Sequence, residues 1–218
     1  MNIIKICFIG IILTLSATAA SEIDPLKNIN ERTHVLNQTL DLQLASPIAR
    51  FYKRVTPDYI EISITNFTSN IEDLSIAINN ILQGKLTDGI SDITRFTINS
   101  TLGIGGFIDV ASGLGLDKND EDFGQTLAVW GIPHGPYLVL PGLGPSTMRD
   151  TLAMIPDAFL TPLWLIDHDR TAYSLTAIDL VDTRARYLGL ESVVIGDEYL
   201  FFRDAYLQSC LLYTSPSP

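Results

Sequence analysis

Histidines, serines and acids are the groups from which hydrolytic centres are assembled, and this chain holds His34, His134 and His168 among many of both. A nucleophilic centre would need a serine such as Ser146 activated by His134 or His168. The spacing argues against it. No Gly-x-Ser-x-Gly elbow is present, no histidine pair has the His-x-x-x-His spacing of a metal-binding helix, and His168-Asp169 stands alone. The histidines read as surface or capping residues, and no catalytic residue, metal or cofactor is expected.

Other polar motifs give way in the same manner. Gly103-Ile104-Gly105-Gly106 lacks the Gly-Lys-Ser/Thr ending of a phosphate loop and reads as a tight turn with close backbone approach. Asp117, Asp120, Glu121 and Asp122 surround Asn119, but not at EF-hand spacing, and a solvated turn is the simpler account. Asn37, Asn66 and Asn99 open glycosylation-type triplets that read as plain helical polar residues. Arg149-Asp150 follows Ser146-Thr147 where a helix should begin, so a cap with a local ion pair is one reading, and a bidentate phosphate contact the other. Arg95, Arg184, Arg186 and Arg203 carry the same two readings.

The elements that must position these residues are mostly helical. Ile60, Ile64, Phe67, Ile71, Leu74, Ile78 and Ile81 recur at four- and three-residue steps, a helical stripe expected to break near Ser69 or Asn70 and to end at Gln83-Gly84. Further helices are expected at 26–44, 87–100, 148–165, 169–188 and 197–207, with Thr147 and Asp197 as caps and Gly189 as a stop. Tyr137 to Leu140, between prolines, suits a short extended or hairpin segment. Taken alone, the apolar stripes imply a soluble helical core.

Residues 1–20 have the layout of a secretory signal peptide: Lys5, an apolar run from Ile6 to Leu15, then small residues to Ala20. Its removal leaves 13 basic residues against 25 acidic ones, a formal charge of −12. Such a chain repels nucleic acid and binds anionic membranes poorly through charge alone. Cys7 falls in the leader and Cys210 in the tail, so packing must stabilise the domain.

The most distinctive stretch is rich in glycine and proline yet largely apolar: Phe123-Gly124-Gln125-Thr126-Leu127-Ala128-Val129-Trp130-Gly131, then Gly135-Pro136-Tyr137 with Pro141, then Gly144-Pro145-Ser146-Thr147-Met148-Arg149-Asp150. With Asp24-Pro25-Leu26, Asn66-Phe67, Leu82-Gln83-Gly84, Arg95-Phe96 and the run from Asn99 to Ala111, it resembles the MlaA (VacJ) family over about residues 24–208. Departures are Asn28, Ile29 and Asn30-Glu31-Arg32 in the first motif. Ala17-Thr18-Ala19-Ala20-Ser21 also lacks the family's frequent lipidated cysteine, which puts a lipid anchor in question. Residues 209–218 do not look like the family and suggest a truncated or frame-shifted end after a single domain, 21–208.

The resemblance implies an all-α ring or wedge of amphipathic helices with a Gly/Pro-rich loop insertion, embedded in the inner leaflet of the outer membrane. It implies a non-enzymatic conduit that takes mislocalised phospholipid from the outer leaflet of a Gram-negative outer membrane, beside a trimeric porin, to a soluble periplasmic carrier. Trp130, Gly131, Gly135, Pro136, Tyr137, Pro141, Gly144 and Pro145 would form the passage or gating loop, with a rigid packed connection as the other reading. Arg149 and Arg95 would be candidates to meet lipid phosphate. Asn66, Phe67, Gly105, Gly106, Phe123, Gly124, Gln125 and Asp150 would be structural. The alternatives are a soluble periplasmic lipid-binding carrier and, last, a phospholipase built on Ser146.

Overall fold

A computed structural model describes residues 24–161, 169–189 and 193–214, and in it the stripe of Ile60, Ile64, Phe67, Ile71, Leu74, Ile78 and Ile81 contributes no buried residue. The leader, His168, residues 162–165 of an expected helix and the last four residues of the tail lie outside the described residues.

Helix α1 (Lys27–Leu40) runs through a π turn (Asp41–Ala45) into α2 (Ser46–Val55), longer than the expected 26–44. Pro47 accounts for the wide turn: it has no amide to donate, and its ring crowds the carbonyl one turn back, so the ladder opens ahead of it. Helix α3 (Asp58–Leu82) is a single element that ends before Gly84 at φ 83°. The expected break at Ser69 or Asn70 does not occur, because the Asn70 amide donates inward to the Ser100 hydroxyl at 3.0 Å instead of capping a helix.

Helix α4 (Leu86–Thr101) follows, and the glycine-rich interruption contains two short helices, α5 (Val110–Gly113) and α6 (Phe123–Val129). Strands β1 (Tyr137–Leu140) and β2 (Gly144–Thr147) form an antiparallel hairpin. Thr147 then caps α7 (Met148–Leu160) by accepting from the Asp150 amide, as the sequence suggests. Helix α8 (Asp169–Arg186) precedes Gly189, and Asp197 caps α9 (Glu198–Thr214) through the Leu200 amide at 3.0 Å.

The packing closes on itself. α2 packs on α8, α8 on α3, α3 on α4, α6 and α7, α6 on α9, α9 on β2, and β1 back on α1. This is a ring of helices sealed by one hairpin.

The ring is inverted relative to an ordinary globule. Among the described residues the largest fully buried side chains are Tyr137, Asn30, Asn79, Asn80, Thr126, Thr147, Asp73, Asp92 and Asp182, with Ser46 and Ser146. Phe51, Leu102, Ile90, Leu86 and Leu143 meanwhile stand at 60–67% exposure. Apolar surface on that scale marks a contact face and not a solvated one. Among the described residues no helix is long and apolar enough to cross a membrane.

Cys210 lies buried on α9 with its thiol pushed up to about 11 by burial and by the nearby Asp150 charge. A thiol-reactive probe at pH 8 is therefore expected to label it at least about tenfold more slowly in the folded chain than in denaturant. Equal rates would show that the end of α9 is not docked.

Candidate functional site

The interior polar groups form a seam between α3 and α4. Asn80 donates to Asp92 at 2.8 Å, Asn119 reaches the other Asp92 oxygen at 2.9 Å, and Asn79 accepts from Thr126 on α6 at 2.9 Å. Arg95 crosses the seam, donating to Ser112, the Leu116 carbonyl and Asp109, with its Nε 3.7 Å from Asp73. Lys118 meets the other Asp73 oxygen at 2.8 Å. Burial pushes the Asp73 carboxyl up against the pull of Lys118 and Arg95.

Burial would also raise Asp109, but hydrogen bonds from Ser112 and Asn99 and the Arg95 charge hold it at about 2. Its folded value lies below the ordinary 3.8, so its stabilisation is complete above pH 3.8 and is lost as pH falls toward about 2. The unfolding midpoint is expected to drop across that window. Asp109→Asn should lower the midpoint near neutral pH and flatten this part of the profile; an unchanged profile would remove Asp109 from the account. Asp73, Asp122 and Asp157, all raised by burial, act in the opposite sense and remain in both proteins.

The family-type motifs sit where this seam meets the loops. Phe67 stacks on Phe107 at 4.9 Å, and Asn66 donates to the Phe107 carbonyl at 3.3 Å. Gly106 has φ 97°, and a Cβ there would lie 2.6 Å from the Asn70 amide, so no larger residue fits. Gly105 has φ 71° but open space around it. A Cβ on Gly124 would meet Asp150 Oδ1 at 2.6 Å, so glycine lets α6 press on that carboxylate. The Phe123 amide donates to Asp157, and the Gln125 side chain to the Asp120 carbonyl.

Asp150 is a hub. It accepts from Thr147 at 2.7 Å, from Arg149 Nε at 2.7 Å and from the Tyr206 hydroxyl at 2.8 Å, tying the start of α7 to α9. Although burial opposes it, hydrogen bonds from Arg149, Thr147 and Tyr206 hold its carboxyl below the usual range. Both candidate phosphate-binding arginines are buried: Arg149 in this hub and Arg95 in the seam.

The hairpin is clamped rather than loose along β1. Asn30 donates to the Tyr137 carbonyl and accepts from the Val139 amide, and Asn37 does the same for Leu140 and Gly142, at 2.7–3.0 Å. The two asparagines stand seven residues apart on one face of α1, matching the rise of the strand. Tyr137 is fully buried against Tyr199, whereas Trp130 is half exposed and donates to the Leu82 carbonyl at 3.0 Å. Gly131, Gly135, Gly142 and Gly144 all have positive φ, so the bends lie on either side of the clamped segment and at its tip. Pro136 and Pro141 flank β1, and Pro145 sits in β2 opposite Val139.

Beside the hairpin lies a half-open cavity of 690 Å³ lined mainly by apolar surface, between α1, the π turn, β2, and the facing ends of α8 and α9. The π turn aims Asp41 at Arg184, which returns a bidentate pair at 2.6 and 2.8 Å. Across the cavity Glu198 accepts from Gln38 at 2.8 Å and lies 3.8 Å from His34. Phe201, Phe202 and Leu42 complete a greasy wall with a few fixed polar groups, the usual make-up of a small-ligand site.

Ser146 does not meet His134: its hydroxyl bonds to Thr151 at 2.9 Å, while the His134 ring contacts the Gly135 carbonyl. The acidic cluster disperses, with Glu121 paired to Lys85 and Asp122 capping α6. Among the described residues no group of acids, histidines or cysteines could hold a metal ion. Sequence reasoning missed the Asn30 and Asn37 clamp and the Asp41–Arg184 pair; the one available signal was the seven-residue spacing of the asparagines.

The family model described as MlaA lipoprotein matches residues 22–210. The chain belongs to the MlaA family. Among MlaA relatives, the intermembrane phospholipid transport system lipoprotein MlaA of Escherichia coli K12 is 33% identical over 192 residues, 85% of this chain and 76% of that protein. An uncharacterised protein of Rickettsia conorii is 36% identical over 186 residues, 84% of this chain and 74% of that one. A solved chain from work on the structural basis for maintenance of bacterial outer membrane lipid asymmetry superposes with a TM-score of 0.79 at 30% identity, covering 89% of this chain and all of that one. The mostly helical ring is thus the MlaA fold.

Proposed function

We propose that the chain is a phospholipid conduit of an outer-membrane lipid-asymmetry system. It takes mislocalised phospholipid from the outer leaflet and passes it to a soluble periplasmic carrier. The observation that carries this reading is the inversion: apolar helix faces outward, asparagines, aspartates and arginines inward. A phospholipid headgroup resists hydrocarbon, while each acyl CH₂ costs about 0.8 kcal/mol to expose to water. An apolar outer face set in the inner leaflet, around a polar interior, answers both.

In this reading the chain supplies a path and no driving force, and direction comes from the outer-leaflet excess or from the acceptor. A trimeric porin holds the ring at depth, and the bend around Gly131–Gly135, outside the segment that Asn30 and Asn37 clamp, is the part of the loop left to move. Arg149, buried and paired with Asp150, holds the start of α7 beside the hairpin.

The test is a gentle-detergent pull-down of the full chain from a Gram-negative envelope, quantifying porin and phospholipid per protein. Abundant porin with little tightly held lipid is expected. About one lipid per chain, no porin, and a protein that washes free of membranes would establish the soluble carrier instead.

A further inference from the structure

Among the described residues the cavity beside the hairpin carries two carboxylates, Asp41 and Glu198, and one guanidinium, Arg184. Asp41 already balances Arg184 through two charge-assisted bonds, and it takes a third from Ser46. Glu198 is differently placed. Among the described residues one oxygen accepts from the neutral Gln38 amide, the other has only the His34 ring at 3.8 Å, and its side chain is 40% exposed.

A ligand whose sole charge is a phosphate therefore enters a chamber of net negative sign, on a chain of net charge −11. A ligand that carries an ammonium beside its phosphate brings the cation that Glu198 lacks. The acyl part meets Leu42, Phe201, Phe202 and Val193.

The geometry points to selection among phospholipids: the cavity favours zwitterionic, ethanolamine-type headgroups over anionic, glycerol-type ones, and Glu198 is the residue that sets the preference. This rests on the conduit reading, because it presumes that phospholipid reaches the cavity. A partly exposed ion pair supports a preference of about two- to fivefold, screened as salt rises.

The test offers the purified full chain, in mild detergent, equal amounts of phosphatidylethanolamine and phosphatidylglycerol and counts bound lipid by mass spectrometry. The expected result is a two- to fivefold excess of the ethanolamine lipid, on the order of one partly exposed ion pair. It should shrink with added salt and fall to about one in Glu198→Gln. Equal or glycerol-favouring capture by the unaltered chain overturns the selection and leaves the conduit standing. A ratio unchanged in Glu198→Gln overturns the assignment to that residue, and circular dichroism confirms the variant's fold. Should the variant unfold, the unaltered chain's ratio and its salt dependence decide. Capture of neither lipid overturns this inference alone, because a conduit holds little lipid and its reading stands or falls with the porin pull-down.

Discussion

Arg95→Ala is expected to lower the stability of the folded chain by about 3–5 kcal/mol, the usual loss when one partner of a buried charge network is removed. Arg95 is 2% exposed and Asp73 1%. Removing the guanidinium leaves Asp73 with Lys118, leaves Asp109 without the Arg95 charge, and takes a donor from the carbonyl of Leu116 and from the hydroxyl of Ser112. Those contacts fasten the 109–118 loop to α4, so the loop should open even where the ring survives. Arg95→Lys should fall between, since one ammonium cannot span Asp109 and Leu116 together. Denaturant unfolding in mild detergent measures it. A loss under about 1 kcal/mol would mean that Lys118 satisfies Asp73 unaided, and that the seam does not depend on Arg95.

The second expected result concerns the outer face. Phe51, Ile90 and Leu102 are exposed at 66, 64 and 67%, and each would bury roughly 1.5–3 kcal/mol of apolar side chain in a lipid or protein environment. The triple change Phe51→Glu, Ile90→Glu, Leu102→Glu should weaken membrane partition by about a thousandfold or more. It should change folded stability by no more than about 0.5 kcal/mol per site, because none of the three contributes to the interior. Vesicle flotation and thermal unfolding read the two quantities separately. A variant that still floats would assign membrane retention to a protein partner; one that unfolds would place these side chains in a core.

Much of the architecture is legible in the residues. The seven apolar positions between Ile60 and Ile81 give α3, the capping oxygens of Thr147 and Asp197 mark α7 and α9, and the proline-bounded run Tyr137–Leu140 gives β1. Periodicity, however, identifies a stripe without saying which way it faces. Asn70, Asp73, Ala77 and Asn80 recur at the same helical period on the neighbouring face of α3, and they are the buried face. A pattern of apolar and polar residues is symmetric under exchange of solvent, and only the resemblance of the motifs pointed to the inverted assignment. The π turn was invisible for a different reason. Pro47 reads as a helix stop, and nothing local shows that a widened turn carries the helix past it to Val55. The clamp and the Asp41–Arg184 pair join residues more than 100 positions apart, where no short-range pattern reaches.

Those separations bear on the order in which the molecule can take shape. Asn30 reaches Tyr137, Asp41 reaches Arg184 and Asp24 reaches Tyr199, so these long-range partners of α1 and its flanks come from the last two fifths of the chain. The α3–α4 hairpin, by contrast, is local and can assemble early. Synthesis therefore presents α1 and α2 first and closes them last. During that interval their outward apolar residues and their inward asparagines are both unpartnered, a condition that invites association with other chains. A ring sealed by its two ends thus leaves α1 and α2 incompletely packed until its final helix arrives.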